Sequence, residues 1–214
     1  KVCKLHRGQS RDTSTDGRTV VAFDLFGPTT PAVDGSVYGS VAVERSSNHI
    51  VVDGLHRKTS DETLAVLKKY LAEHAVPVDE IHTDGGGEWL GKFATYCNEH
   101  RIRTTFTCPY SAFQNQSAEQ AVGIVKRGAR RNLLESALAG CFWLPAAKLA
   151  AIQHNQSASD HSQHLTPNMR LYGKPKYQSR DRDLLVMGTI AYTLILPQPA
   201  RNTFADSERT PLRT

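Results

Sequence analysis

Three acids stand where a carboxylate needs a reason. Asp24 interrupts an otherwise apolar run, Val20-Val21-Ala22-Phe23-Asp24-Leu25-Phe26. A carboxylate in such surroundings is costly unless it is paired or bound to a cation. Asp84 follows a short apolar pattern (Val76, Val78, Ile81) and precedes Gly85-Gly86-Gly87, which suits a carboxylate presented at a strand end. Glu119 opens a segment of helical periodicity, Ser117-Ala118-Glu119-Gln120-Ala121-Val122. Two strand-borne acids and one helix-borne acid share one chemistry, the hard oxygen ligands that Mg2+ prefers. Acids gathered at one point repel each other, and cations reverse that local electrostatics. Each acid also has a plainer use: Asp24 facing solvent at a strand edge, Asp84 as a turn acid, Glu119 as a glutamate favoured by the helix dipole.

The elements that must position these acids are read from periodicity and punctuation. Residues 19–26 form a central strand by their near-continuous apolar character. Gly27-Pro28 ends it, and Pro31 with Asp34-Gly35 supplies a hairpin signal. Residues 38–43 and 48–52 follow as β-rich segments, so the first three strands form a meander. Residues 59–74 are helical, with Ser60 as N-cap and Leu64, Leu67, Tyr70 and Leu71 on one face. A fourth strand is predicted over 76–83, a short helix over 92–99 with Phe93, Tyr96 and Cys97 inward, and a fifth strand over 103–107. The loop 108–116 leads into a long helix from 117 to about 138, where Ala118, Ala121, Val122, Val125, Ala129 and Leu133 recur at helical spacing. Residues 142–151 form another helix, apolar almost all round. Thr166-Pro167 begins a helical turn, and 190–196 is one late strand closed by Pro197 and Pro199. The order is β-β-β-α-β-α-β-α-α. It predicts an α/β fold, a five-stranded mixed sheet flanked by helices.

Composition bounds the rest. The chain has 214 residues, 39% hydrophobic and 22% charged, which favours a globular domain over a disordered one. A core of that size needs no disulfide staples. Cys3, Cys97, Cys108 and Cys141 are widely spaced with no C-x-x-C pair, so they read as free thiols in a reducing compartment. The nine histidines pair with no cysteines in a zinc pattern. No apolar run approaches about 18 residues, so no membrane span is predicted. A formal net charge of +5 is compatible with an anionic partner and does not by itself identify one. Lys1 in place of an initiating Met reads as a piece of a longer polyprotein.

His82-Thr83-Asp84-Gly85-Gly86-Gly87-Glu88-Trp89, Pro109-Tyr110-Ser111 and Gln114-Asn115-Gln116-Ser117-Ala118-Glu119 resemble, in order and spacing, the DDE integrase catalytic core of copia-type LTR retrotransposons. Flanking stretches extend the resemblance to almost the whole chain. Val2-Cys3-Lys4-Leu5-His6-Arg7-Gly8 is similar to the end of the zinc-binding module that precedes such cores. Thr166-Pro167-Asn168-Met169-Arg170-Leu171-Tyr172-Gly173-Lys174 and Gly188-Thr189-Ile190-Ala191-Tyr192 are similar to segments that follow them. Four positions depart from the family's usual residues: Gly85 where Asn is usual, Gln116 where Gly is usual, and Gln120 and Gly123 where basic residues are common.

The resemblance implies a ribonuclease H-like fold and metal-dependent strand transfer that inserts element DNA into host DNA. It implies Asp24, Asp84 and Glu119 as catalytic residues and ligands of two Mg2+ or Mn2+ per active site, with Asp24 bridging both. It divides the chain into a basic linker (1–17), a catalytic core (18–160) and a C-terminal extension (161–214). It implies DNA as partner, both element ends and target, a homo-oligomer, and a nuclear destination reached by way of a cytoplasmic virus-like particle. Lys126 and Arg130 lie about two and three helical turns beyond Glu119 on its face, with Arg127 adjacent, which suits phosphate contact. Asn115 either supports the loop or touches DNA. Glu88 reads as an accessory or structural acid, and Cys3 resembles the last zinc ligand of an upstream module but, without that module's other ligands, binds nothing in this chain. Two other classes compete, a ribonuclease H-like nuclease that cuts without joining and a degenerate, non-catalytic core that binds nucleic acid.

Overall fold

The computed structural model describes residues 17–74, 76–107, 115–158, 165–173 and Met187. The linker with Cys3, the loop holding Cys108 and Pro109-Tyr110-Ser111, and the late strand expected over 190–196 lie outside them. Five strands form one mixed sheet: β1 (Val20–Phe26), β2 (Tyr38–Glu44), β3 (His49–Leu55), β4 (Glu80–Thr83) and β5 (Arg103–Phe106). Their order is β3-β2-β1-β4-β5, so β1 is central. β1, β2 and β3 pair antiparallel as the expected meander, while β4 joins β1 and β5 joins β4 in parallel.

The two-residue period of β1 sends its side chains to two separate cores. Val21 and Phe23 face α1 (Ser60–Glu73) and α2 (Lys92–Glu99), where they meet Leu67, Tyr70, Trp89 and Phe93. The aromatic rings interlock edge-on there: Phe23 lies 5.7 Å from Tyr70, and Trp89 lies 5.2 Å from Phe93. Ala22 and Phe26 face the opposite side. There α3 (Gln116–Ser136) and α4 (Trp143–Gln156) contribute mostly small residues, Ala118, Ala121, Ala129, Ala146, Ala147 and Ala151 among them. Small side chains let the two helices approach closely. At Gly128 a Cβ would come within 2.5 Å of the Ala150 methyl. No helix among the described residues is long and apolar enough to cross a membrane.

Several boundaries differ from the sequence reading, each for a local reason. The N-cap of α1 is Thr59, whose hydroxyl accepts from the Glu62 N–H; Ser60 is instead drawn into a tertiary link. The Ser60 hydroxyl donates to the Leu90 carbonyl and accepts from the Phe93 N–H, which ties α1 to α2. The fourth strand begins at Glu80, not at 76, because Pro77 has no N–H to offer and Asp79 instead bonds Thr19 through backbone and carboxylate. Helix α4 runs on to Gln156, held late by Asn155, whose side-chain amide exchanges two hydrogen bonds with the backbone of Ile50 at 2.8 and 2.7 Å. The helical turn begun by Thr166 is present as α5 (Pro167–Tyr172), with the Thr166 hydroxyl accepting from the Met169 N–H.

Candidate active site

The parallel pairing of β1 and β4 sets two acids level with each other. Ala22 is in register with His82, which carries Asp24 and Asp84 to the same end of adjacent strands. Asp24 is the fifth residue of β1, and Asp84 directly follows the last residue of β4. In an open α/β sheet, the crevice beyond the carboxyl ends of parallel strands is where ligands bind. Glu119 lies in the first turn of α3, and its N–H donates to the Asn115 carbonyl at 3.1 Å.

The chemistry of Asp24 records its neighbours. The side chain is half-buried on the central strand, not exposed at an edge. Burial raises its pKa from 3.8 to about 6, against a hydrogen bond from the Leu25 N–H at 2.8 Å that favours the charged form. The negative charges of Asp84 and Glu119 push the pKa up further, and Lys126 pulls it down. Asp24 therefore feels both other acids.

Asp84 is held by a partner that sequence reasoning did not single out. Its Oδ1 accepts from the indole N–H of Trp89 at 2.5 Å and from the Gly86 N–H at 3.3 Å. Trp89 is 1% exposed, so the donor is fixed by the aromatic core beneath it. A second unanticipated residue is Lys58, whose Nζ stands 2.7 Å from Oε1 of the buried Glu88. The ammonium pKa is raised chiefly by Glu88, with Asp84 and Asp24 adding to it. Glu88 thus enters the site as the partner of a lysine. Its carboxylate covers Gly86 so closely that a Cβ there would fall 2.5 Å from Oε2. Trp89 was legible as part of a motif without a role. Lys58 carried no signal, because a lysine in a polar connection before a helix is the commonest of solvated residues.

The remaining candidates divide by exposure. Asn115 is 5% exposed at the start of α3, and its Oδ1 has no hydrogen-bond partner among the described residues. Lys126, Arg127 and Arg130 are exposed on α3. The Lys126 ammonium lies 5.3 Å over the Phe26 ring, on the side of Asp24. Arg127 turns back across Gly123, where a Cβ would lie 3.2 Å from its Nη1. Cys97 and Cys141 are free thiols.

The three acids supply only oxygen donors, the set that Mg2+ or Mn2+ takes. Among the described residues, no three His, Cys, Asp or Glu side chains are gathered closely enough to hold a metal ion. The donor types fit the ion.

No protein-family profile matches the chain, and no curated protein matches its sequence. Solved structures do match in fold. The catalytic core domain of BIV integrase aligns with a TM-score of 0.59 at 17% identity, covering 73% of this chain and 95% of that one. A chain of the simian T-cell lymphotropic virus intasome, in complex with PP2A regulatory subunit B56 gamma, aligns with a TM-score of 0.61 at 21% identity. That alignment covers 73% of this chain and 55% of the intasome chain, so this chain spans about half of it. A five-stranded mixed sheet with its meander, its two parallel additions and its flanking helices is the ribonuclease H-like fold of integrase catalytic cores.

Proposed function

We propose that this chain is the catalytic core of a copia-type retrotransposon integrase, which joins element DNA to host DNA by phosphodiester transesterification. The observation that carries the reading is the placement of Asp24 and Asp84 at the same end of the adjacent parallel strands β1 and β4, with Glu119 in the first turn of α3. Asp24, Asp84 and Glu119 would hold two Mg2+ or Mn2+, which when bound supply charge neutralisation at the attacking and leaving oxygens. The chain's own groups do the positioning. Trp89 and the Gly86 N–H fix one oxygen of Asp84. The Leu25 N–H does the same for Asp24. Lys58 offsets Glu88, so that acid adds little further repulsion beside the cluster. Lys126 and Arg130 offer cations to backbone phosphate along the exposed face of α3, where contact fixes register without reading sequence.

The fold likeness to a chain of an intasome supports DNA as the partner and assembly as a homo-oligomer. The resemblance supports release from a longer polyprotein and action in the nucleus. A core that binds DNA without cutting it is the second reading, favoured by the departures from the family's usual residues at Gly85, Gln116, Gln120 and Gly123.

One assay decides between them. A branched DNA that mimics the joined product is resolved in a single step by strand-transfer reversal, with Mn2+ or Mg2+ supplied. The expected outcome is metal-dependent product that falls by more than about 100-fold in Asp84→Asn, an effect of the size seen when a single charge-stabilising group is removed. Folded wild-type protein that binds the branched DNA and yields no product assigns the second reading. Cut product without rejoined strand assigns a nuclease.

A further inference from the structure

Beside the acids the sheet floor continues into an apolar cleft that the proposed chemistry leaves unused. It encloses about 550 Å³ between β1, the second half of α3 and the start of α4. A volume of that size is within the ordinary range for small-molecule sites, about 300–1,000 Å³. Phe26 and Trp143 form the floor, their rings edge-to-face at 5.8 Å, and the Trp143 indole N–H is tethered to the Thr30 carbonyl at 2.8 Å. Leu133, Leu134 and Leu138 wall it. Leu134 is 73% exposed, an unusual cost for a leucine on a helix that has alanines to spare.

Two features tie this cleft to the acids. Phe26 lies two residues after Asp24 on the same face of β1, so floor and carboxylate are neighbours along one strand. Lys126 belongs to both: its ammonium stands over Phe26, it lines the cleft with Arg130, and its charge reaches Asp24. An apolar hollow with two cations on its rim, opening beside a phosphate-handling site, is complementary to a flat, largely apolar group carried on a phosphate.

We propose that the cleft between α3, α4 and the end of β1 receives one unpaired nucleobase of the DNA strand whose phosphate lies at the acids, with Lys126 and Arg130 on the flanking phosphate. The inference rests on DNA being the substrate, as proposed above. Seating a base there draws the strand end out of the duplex and holds its terminal phosphate against Asp24. Binding of this kind tolerates any sequence, because every base presents an apolar face.

The test compares two short duplexes in Mg2+, one blunt and one with a single unpaired nucleotide at the end, by fluorescence anisotropy. The wild-type protein is expected to bind the unpaired end about tenfold tighter, the increment that one seated base supplies. Leu134→Gln, at an exposed position, and Ala129→Leu, which fills the cleft with apolar bulk, are each expected to bring that ratio close to one. Equal affinity of the wild type for both ends, beside retained activity on branched DNA, overturns the base site and leaves the integrase reading standing. No binding of either duplex overturns both. A ratio unchanged in both variants overturns the assignment of the site to this cleft. A wild-type dimer in sedimentation that Leu134→Gln dissolves gives the cleft to a second copy of the chain and likewise overturns the proposal.

Discussion

The two faces of the sheet hold different parts of the site by different means. On the α1/α2 face, large rings interlock, and one of them, Trp89, reaches up to fix Asp84. On the α3/α4 face, small residues set the spacing, and the helix they place carries Glu119, Lys126 and Arg130. The first face acts as a clamp whose precision comes from bulk. The second acts as a rail whose precision comes from the closeness of two backbones. The acid on the clamp is positioned by two donors at one oxygen, whereas the acid on the rail is positioned by how the whole of α3 lies on α4.

This comparison predicts where each face is weakest. The largest effect belongs to the rail. Gly128→Leu places bulk where even a Cβ meets Ala150, and overpacking of this kind costs about 3 kcal/mol. Urea unfolding should show that loss, and strand transfer by the folded fraction should fall as well, since α3 carries Glu119. Retained activity at reduced stability would mean that Glu119 is placed by its own turn and not by the rail.

The clamp should respond more locally. Trp89→Phe keeps the ring and removes the donor to Asp84, a hydrogen bond to a charged group that contributes about 2 kcal/mol. Joining is expected to fall about tenfold while the circular dichroism spectrum is unchanged. An unaffected rate with lowered stability would reduce Trp89 to a packing residue.

The smallest effect has the opposite sign. Asp24 carries a folded pKa of about 6 against 3.8, so its charged form is disfavoured in the native state. Stability contributed by the protonated group is present below about pH 4 and is lost as pH rises through 6. Asp24→Asn keeps an oxygen to accept from Leu25 and removes the charge. In metal-free buffer it should be more stable than wild type by about 1–2 kcal/mol at pH 8, and by nothing measurable at pH 4. Equal stability at both pH values would show that the carboxylate meets no net repulsion. On the proposed function the variant should be inactive throughout, gaining stability where it loses activity.

Much of this arrangement was legible before any coordinates. The order of elements along the chain followed from an apolar run, a hairpin signal and alternating helices, because periodicity reports which face is buried. Helix α3 was likewise written in spacing, whereas the order of strands in the sheet and the two cores served by β1 came only with the fold. What spacing could not report were side chains whose partners come from elsewhere in the fold. Ser60 and Thr59 are equivalent as caps in sequence, and only Leu90 and Phe93 decide between them. Asn155 prolongs α4 through Ile50, which lies far away in the chain. Lys58 joins the site through Glu88, and Trp89 joins it through Asp84. Asp24 stood out in the sequence because a carboxylate in an apolar run demands a partner. The residues that hold the acids were missed because a lysine or a tryptophan demands nothing so specific.

The Asn155 link has a consequence for how the molecule behaves among its own copies. β3 is an outer strand of the sheet, and outer strands offer unpaired amides and carbonyls to any passing chain. At Ile50 one side-chain amide from α4 takes both of those offers, standing in for the neighbour a strand would otherwise recruit. A chain with such an outer strand needs that edge closed to its own copies. Here a single asparagine does part of that insulation, and it does so with the helix that also forms the rail beneath Glu119.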